Sequence, residues 1–393
     1  MFRLWLFFSF FQWAFFCHGQ TYRLEQCMTE VLAAEQAGSL EVYYQKQPAI
    51  SDTISAFRQN VTIPIVVHIL WHQPEENISR QQVLSQIDAL NADFSAKNDP
   101  IEFLSDAFGY LSEDSHIRFC LADSLSGIER KVTDYDSIGF AIDTAGHQVI
   151  YHKESGGLDA WDSNRYLNIW VGRMPSSVLG YYFTEFGNIR GIVIDPDVFG
   201  TIESVANRPK HALGKTLTHE IGHFLGLNHI WGFGCGIDDG IADTPPQKEP
   251  TYGCPNWPEW SCDTLDMYMN FMDYSDDQCL TMFTHDQISR MQNVLHSQYP
   301  LLFDTSCKLS AQKTRILAFP NPASNYLIVE LPESNGINTI SVFSGIGQKI
   351  FSTQVISPTY LNIPTAQWQS GIYYLLITNP IAQSTHRITI VHP

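Results

Sequence analysis

The sequence predicts an α/β domain, a mixed twisted sheet backed by helices, followed by a small all-β sandwich. Three observations predict it. β-Branched apolar runs such as "VTIPIVVHIL" (61–70) are interleaved with helix-spaced ones such as "SRQQVLSQIDALNADFSAKN" (79–98), the pattern of strands followed by backing helices. After Cys307 this mixture stops, and short alternating runs between Gly, Pro and Asn turns take over. The length, 393 residues, allows two or three domains and a large core.

The chain opens on "MFRLWLFFSFFQWAFFCHGQ", one Arg followed by an apolar run from Leu4 to Cys17 that only Ser9 and Gln12 interrupt. This is a signal-peptide pattern, too short to span a bilayer, with Gly19 as the small residue before a cut at Gln20, so 1–19 is assigned as signal. A lipid anchor on Cys17 fits poorly because Phe16 precedes it. No later run is long and apolar enough to span a membrane once the signal is removed. Of eight cysteines seven then remain; export makes disulfides their default state, and the odd number predicts at least one free thiol. With 23 basic against 41 acidic residues the formal charge is −18, which argues against nucleic acid or an anionic membrane surface as partner.

Residues 20–58 are polar and helix-prone, "RLEQCMTEVLAAEQ" being the most periodic stretch, and lack the strand density of the chain beyond them. Residues 59–307 hold the α/β pattern. The helix after the first strand places Val83, Leu84, Ile87 and Leu90 on one face, and further strands are expected at "IRFCLAD", "YLNIWVGRM", "LGYYFTE" and "GIVID". A second helix is expected from roughly Pro209 to Leu225. Between Gly232 and Cys262, Gly, Pro, Asp and Cys predominate, which predicts an irregular segment held by disulfides and ions. Residues 311–393 read as a sandwich of about seven strands without a titratable cluster; no tandem repeat is present.

The chemistry lies in "THEIGHFLGLNH" (218–229), with three of the fourteen histidines. On a helix, His219 and His223 project from one face and can share a small cation. Glu220 lies beside that face, placed to reach a metal-bound water without being a ligand. Gly226 takes the left-handed conformation that ends a helix, so the chain turns and His229 returns as third ligand. Three neutral nitrogens with one open position suit catalytic zinc, which brings the pKa of a bound water to about 7 and polarises a carbonyl. The competing reading is an ordinary helix with core histidines, but the five fixed positions arise by chance in roughly one chain in 10,000. A structural zinc site would close all four positions with Cys or His.

His219, Glu220, His223, Gly226 and His229 together form the signature of the metzincin metalloproteases, and "MNFMDYSDDQC" resembles their Met-turn, with Met272 in the turn and Tyr274 two residues on. With "CGIDDGIADTP", "QIDALNADF" and "YLNIWV", the stretch from about 60 to 300 resembles the pappalysin (cytophagalysin) family in particular. That resemblance implies Met272 as a hydrophobic floor under the ligands and Tyr274 as a hydrogen-bond donor to the oxyanion; a packing aromatic is the alternative for Tyr274. It implies disulfides Cys235–Cys262 and Cys254–Cys279, each loop worth roughly 3 kcal/mol in the chain-entropy model, although the sequence allows other pairings. It implies a calcium site at Asp239, the Ala242 carbonyl and Thr244, with an ion-free turn as the alternative. It also implies a latency role for Cys27, whose thiolate would fill the open metal position until the segment is cut away, with Arg58-Gln59 as the expected cut. Family members commonly have Cys-Gly here and this chain has Met28, so a disulfide of Cys27 with Cys120 or Cys307 stays open. Substrate is expected antiparallel to the edge strand around Gly180 and Tyr181, with selectivity set near Asp276, Asp277 and Gln278, where an acidic wall would favour a basic residue after the cut.

"FPNPASNYLIVEL", "ISVFSGIGQKIF" and "GIYYLLI" resemble the sorting domain of type IX secretion substrates, which implies bacterial secretion machinery as a partner and a secreted or cell-surface location. A carbohydrate-binding sandwich is the alternative. The expectation is thus a secreted, latent zinc endopeptidase acting on protein or peptide substrates. The rivals are an inactive metzincin-fold adhesin, against which the intact Glu220 argues, and a zinc amidase acting on cell-wall peptides.

Overall fold

The computed structural model describes residues 27–37, 60–97, 107–122, 127–175, 178–185, 189–303, 317–319, 321–330, 337–356, 360–378 and 383–392. The signal run, the Arg58-Gln59 bond and Cys307 lie outside them. The chain divides into two units, Met1–Cys307 and Lys308–Pro393.

In the first unit, helix α1 (Thr29–Ala37) precedes β1 (Val61–Trp71), an eleven-residue strand buried along most of its length on both faces, which is why it reads as a continuous apolar run. β1 pairs in parallel with β2 (Ile117–Leu121) at its start, with β3 (Ile128–Val132) at its end, and with β4 (Leu167–Val171) on its other side. β4 pairs in parallel with β6 (Ile189–Ile194), and β5 (Gly180–Glu185) closes that edge as the antiparallel strand. All but β3 fall where the sequence places them; β3, short and charged, carries no β-branched run to announce it.

Helix α2 (Arg80–Phe94) starts at Ser79, whose hydroxyl accepts from the Gln82 amide, and buries Val83, Ile87, Leu90 and Phe94 in the main core. Leu84 is only half-buried. Helix α3 (Lys215–Phe224) is shorter than expected. Pro209–His211 is a separate 3-10 turn, and Gly214 at φ +75° breaks the chain before α3 begins. The cap comes from far away: Asp277 accepts from the Leu213 and Lys215 amides at 2.8 and 3.3 Å. Helix α4 (His285–Gln298) has a capping box of Thr284 and Gln287 and buries Ile288, Met291, Val294 and Leu295.

Between α3 and α4 the chain is irregular apart from the small hairpin of β7 (Trp260–Ser261) and β8 (Thr264–Leu265) and a 3-10 turn at Asp277–Cys279. Cys235–Cys262 and Cys254–Cys279 are disulfides, Cys120 is disulfide-bonded too, and Cys27 is a free thiol. The disulfide alternative for Cys27 is thereby removed.

The second unit is a sandwich of seven described strands. One sheet runs β13 (Tyr360–Pro364), β10 (Tyr326–Glu330), β9 (Leu317–Phe319); the other runs β12 (Lys349–Ile356), β11 (Ile337–Ser344), β14 (Gly371–Thr378), β15 (Gln383–Ile390). Their inward residues, among them Leu327, Val329, Ile340, Val342, Leu375 and Ile388, form its own core.

Candidate active site

α3 carries His219, Glu220 and His223, all buried. Two glycines shape its surroundings. A Cβ on Gly222 would lie 2.4 Å from Met272 Sδ, so only glycine lets the helix settle on the methionine below it. Gly226, at φ +87°, ends the helix in the left-handed conformation, and the chain turns back to bring in His229.

The three Nε2 atoms converge, at 3.1 Å between His223 and His219 and 3.2 Å for each of the other two pairs. Each Nδ1 faces an acceptor: His219 the Phe271 carbonyl at 2.7 Å, His223 the Leu227 carbonyl at 2.8 Å, His229 the Glu30 carboxylate at 2.7 Å. The Nδ1 atoms therefore carry the protons, and three Nε2 lone pairs point at one another. Burial pushes His219 and His229 down to about 3 and His223 well below its ordinary value, which keeps the rings neutral. Such an arrangement is repulsive unless a cation lies between the nitrogens. A tetrahedral ion at about 2.0–2.1 Å from each requires nitrogens roughly 3.3 Å apart, close to the spacing present. The residues fit a metal.

Residues 27–30 fill the cleft. Cys27 Sγ joins the three imidazole nitrogens in a group whose atoms all lie within 4.8 Å of one another. Burial, then the Glu220 carboxylate, push the Cys27 thiol well up, a penalty that a divalent cation at Sγ reverses. Glu220 Oε2 accepts from the Thr29 hydroxyl at 2.8 Å and from Cys27 Sγ at 3.4 Å, while Oε1 is buried without a partner. Burial raises Glu220 to about 7. Met28 is buried in the hydrophobic cluster that also holds Trp170 and Tyr181, which explains a large side chain where glycine is common. The segment lies along β5: Cys27 forms a parallel bridge with Gly180, Met28 donates to the Gly180 carbonyl at 3.3 Å, and the Tyr182 amide donates to Thr29 Oγ1 at 2.8 Å.

Met272 is fully buried under α3, and its amide donates to Asn270 Oδ1. The Tyr274 hydroxyl donates to the Cys27 carbonyl at 3.2 Å, and its ring meets the His229 ring edge-on at 5.0 Å. Beside the histidines the cleft is lined by Leu179, His211, Lys215, Thr216, Asp277 and Leu280. Of the three residues expected at its wall, Asp277 lines it, whereas Asp276 faces Lys210 at 3.6 Å and Gln278 donates to Cys254 Sγ. In the irregular segment Asp239 Oδ1 accepts from Thr244 Oγ1 and the Ile241 amide, and Oδ2 is buried without a partner. Ala242 is exposed beside them. Sequence reasoning missed Gly222, Thr29 and Glu30. Gly222 sits inside the recognised motif and was readable as a close approach; the other two belong to no local pattern.

Residues 153–296 match the family described as Pregnancy-associated plasma protein-A, and residues 317–391 match the secretion system C-terminal sorting domain. The extracellular metalloprotease of Arthroderma otae is 30% identical over 251 residues, spanning 61% of this chain and 80% of that protein; one from Arthroderma benhamiae is 31% identical over 255 residues, spanning 62% and 74%. The chain belongs to the pappalysin family of metalloproteases. Among solved structures, this pappalysin is similar to mature mirolysin of Tannerella forsythia in complex with a cleaved peptide, with 34% identity, a TM-score of 0.57, and 63% of this chain and 96% of that chain covered. Promirolysin of the same organism, as a point mutant, has 30% identity and a TM-score of 0.59, with 72% and 97% covered. The pappalysin unit thus has the metzincin α/β fold, its chemistry depends on a metal, and a β-sandwich sorting domain follows it.

Proposed function

We propose that the protein is a zinc endopeptidase, exported by type IX secretion and made as a latent precursor, in which His219, His223 and His229 hold the metal and Glu220 is the general base. The observation that carries this reading is the convergence of three neutral Nε2 lone pairs with a buried carboxylate beside them. Three imidazoles suit zinc, and three protein ligands with a fourth tetrahedral position left for water is the arrangement of catalytic zinc. When bound it supplies Lewis-acid polarisation and an activated water. Glu220, its proton affinity raised by burial, takes the proton from the attacking water and passes it to the leaving amine. Tyr274 donates to the oxyanion as charge develops on it. Met272 and Gly222 fix the height of the ligand helix. Substrate pairs antiparallel with β5, and Asp277 in the adjoining cleft favours a basic residue after the cut.

The same reading assigns 1–19 as signal, 20–58 as pro-segment, 59–307 as catalytic domain and 311–393 as sorting domain, with Cys27 as the latency residue. Asp239, Ala242 and Thr244 are assigned to calcium: burial raises Asp239 to about 8 and leaves one carboxylate oxygen without a donor, which a cation would relieve. No helix among the described residues is long and apolar enough to cross a membrane. Nothing in the site favours the adhesin or cell-wall amidase readings. The test is to prepare precursor trimmed before Gln59 and its Glu220→Ala variant, measure bound zinc, and assay peptide cleavage. Stoichiometric zinc in both with hydrolysis only by the former is expected; zinc-loaded trimmed protein that cleaves no peptide would refute the proposal.

A further inference from the structure

The Nδ1 partners of the three histidines differ in kind. Those of His219 and His223 are main-chain carbonyls, Phe271 and Leu227, which lie with the rings in the proposed catalytic domain, 59–307, and stay with them. That of His229 is Glu30, three residues after Cys27 in the segment that fills the cleft. Glu30 grips this ligand twice: Oε2 faces Nδ1 at 2.7 Å and Oε1 accepts from the His229 amide at 2.7 Å. The carboxylate is 4% exposed, so water does not weaken the contact. Trp231 stacks on the His229 ring at 4.3 Å and Tyr274 meets it edge-on, so the ring faces are held by neighbours while its Nδ1–H is held by Glu30.

We infer that Glu30 is an outer-sphere carboxylate of the metal centre, supplied by the pro-segment and removed with it, so that the latent protein binds its metal more tightly than loss of the Cys27 ligand alone explains. A carboxylate accepting from the far nitrogen of a ligating histidine fixes the tautomer and raises the basicity of the coordinating nitrogen; removing such a partner typically weakens metal binding about 10–100-fold. Glu30 acts through His229 and is therefore a positioning residue. Shedding the segment removes Cys27 and Glu30 together. The mature centre keeps three neutral rings and holds its cation with less compensating negative charge, which favours metal loading before maturation and carbonyl polarisation after it.

The inference rests on the metal-centre reading above, and the experiment separates the two. Zinc affinity of the full-length precursor is measured by competition with a chromophoric chelator for the wild type, Glu30→Gln and Glu30→Ala, with Cys27→Ala and Cys27→Ala/Glu30→Gln as a second pair lacking the thiol. Cobalt-loaded samples report through thiolate-to-cobalt absorption whether Cys27 is still seated. The expected result is about tenfold or greater weakening by Glu30→Gln on both backgrounds, with the thiolate absorption kept where Cys27 is present. Unchanged affinity overturns the assignment. Weakening accompanied by loss of the thiolate absorption also overturns it, because Glu30 would then act only by seating the segment. A wild-type precursor that binds no stoichiometric zinc overturns instead the metal-centre reading.

Discussion

The Tyr274 hydroxyl donates to the main-chain carbonyl of Cys27 at 3.2 Å, so in the latent form a peptide oxygen already lies at the donor proposed for the oxyanion. A donor that matters mainly once charge has developed affects kcat more than KM. For Tyr274→Phe in the trimmed enzyme, kcat is expected to fall about 100-fold with zinc content unchanged and KM altered little. Steady-state kinetics with a peptide substrate and metal analysis check this; a fall in zinc content matching the fall in rate would assign Tyr274 to packing.

Thr29 and Cys27 both face Glu220 Oε2, the hydroxyl at 2.8 Å and the thiol at 3.4 Å. Cys27→Ala therefore removes one block and leaves another. The precursor carrying Cys27→Ala is expected to cleave peptide measurably but more slowly than trimmed enzyme, and addition of Thr29→Val is expected to raise the rate. Initial rates before any trimming, followed by gel, decide between this two-part block and a thiol acting alone.

At Gly222 a methyl group would overlap Met272 Sδ, so the methionine or the helix must shift to admit it. Gly222→Ala is expected to lower unfolding free energy by about 1–3 kcal/mol, the usual range for an overpacked core. Thermal or urea unfolding of the zinc-loaded protein measures it. An unchanged midpoint would mean that the helix and the methionine slide apart freely.

Burial raises Asp239 from 3.8 to about 8, so the ion-free fold favours the protonated acid. Its contribution to stability is complete below pH 3.8 and is lost as pH rises toward about 8. Calcium reverses the preference by holding the carboxylate. Added calcium is thus expected to raise the melting temperature, increasingly so toward pH 8, and not to do so in Asp239→Asn. Melting curves with and without calcium at two pH values test the site.

Much of the fold was legible because its signals are local. β1 announces itself by burial on both faces, α2 by its spacing and Ser79, and the ligand helix by the repeat of histidines. Helix α4 was equally readable, since Thr284 and Gln287 form a capping box in plain sequence, yet its polar face hid the periodicity. The start of α3 was not readable, because its cap is an aspartate 62 residues away. The same separation governs the site. His219 and His223 are neighbours on one helix, whereas Thr29 meets Glu220 across 191 residues and Glu30 meets His229 across 199. No spacing rule reaches that far.

The bridge between Cys27 and Gly180 is parallel, whereas a substrate strand is expected to run the other way along β5. Polarity matters to a protease because attack and departure occur on opposite sides of one carbonyl. A segment laid in backwards presents its amide nitrogen where the acyl side belongs, so the cleft is occupied by a peptide that it cannot cut in place. Release then needs a cut elsewhere in the segment. If a second copy of the protein makes that cut, the rate of maturation climbs with protein concentration.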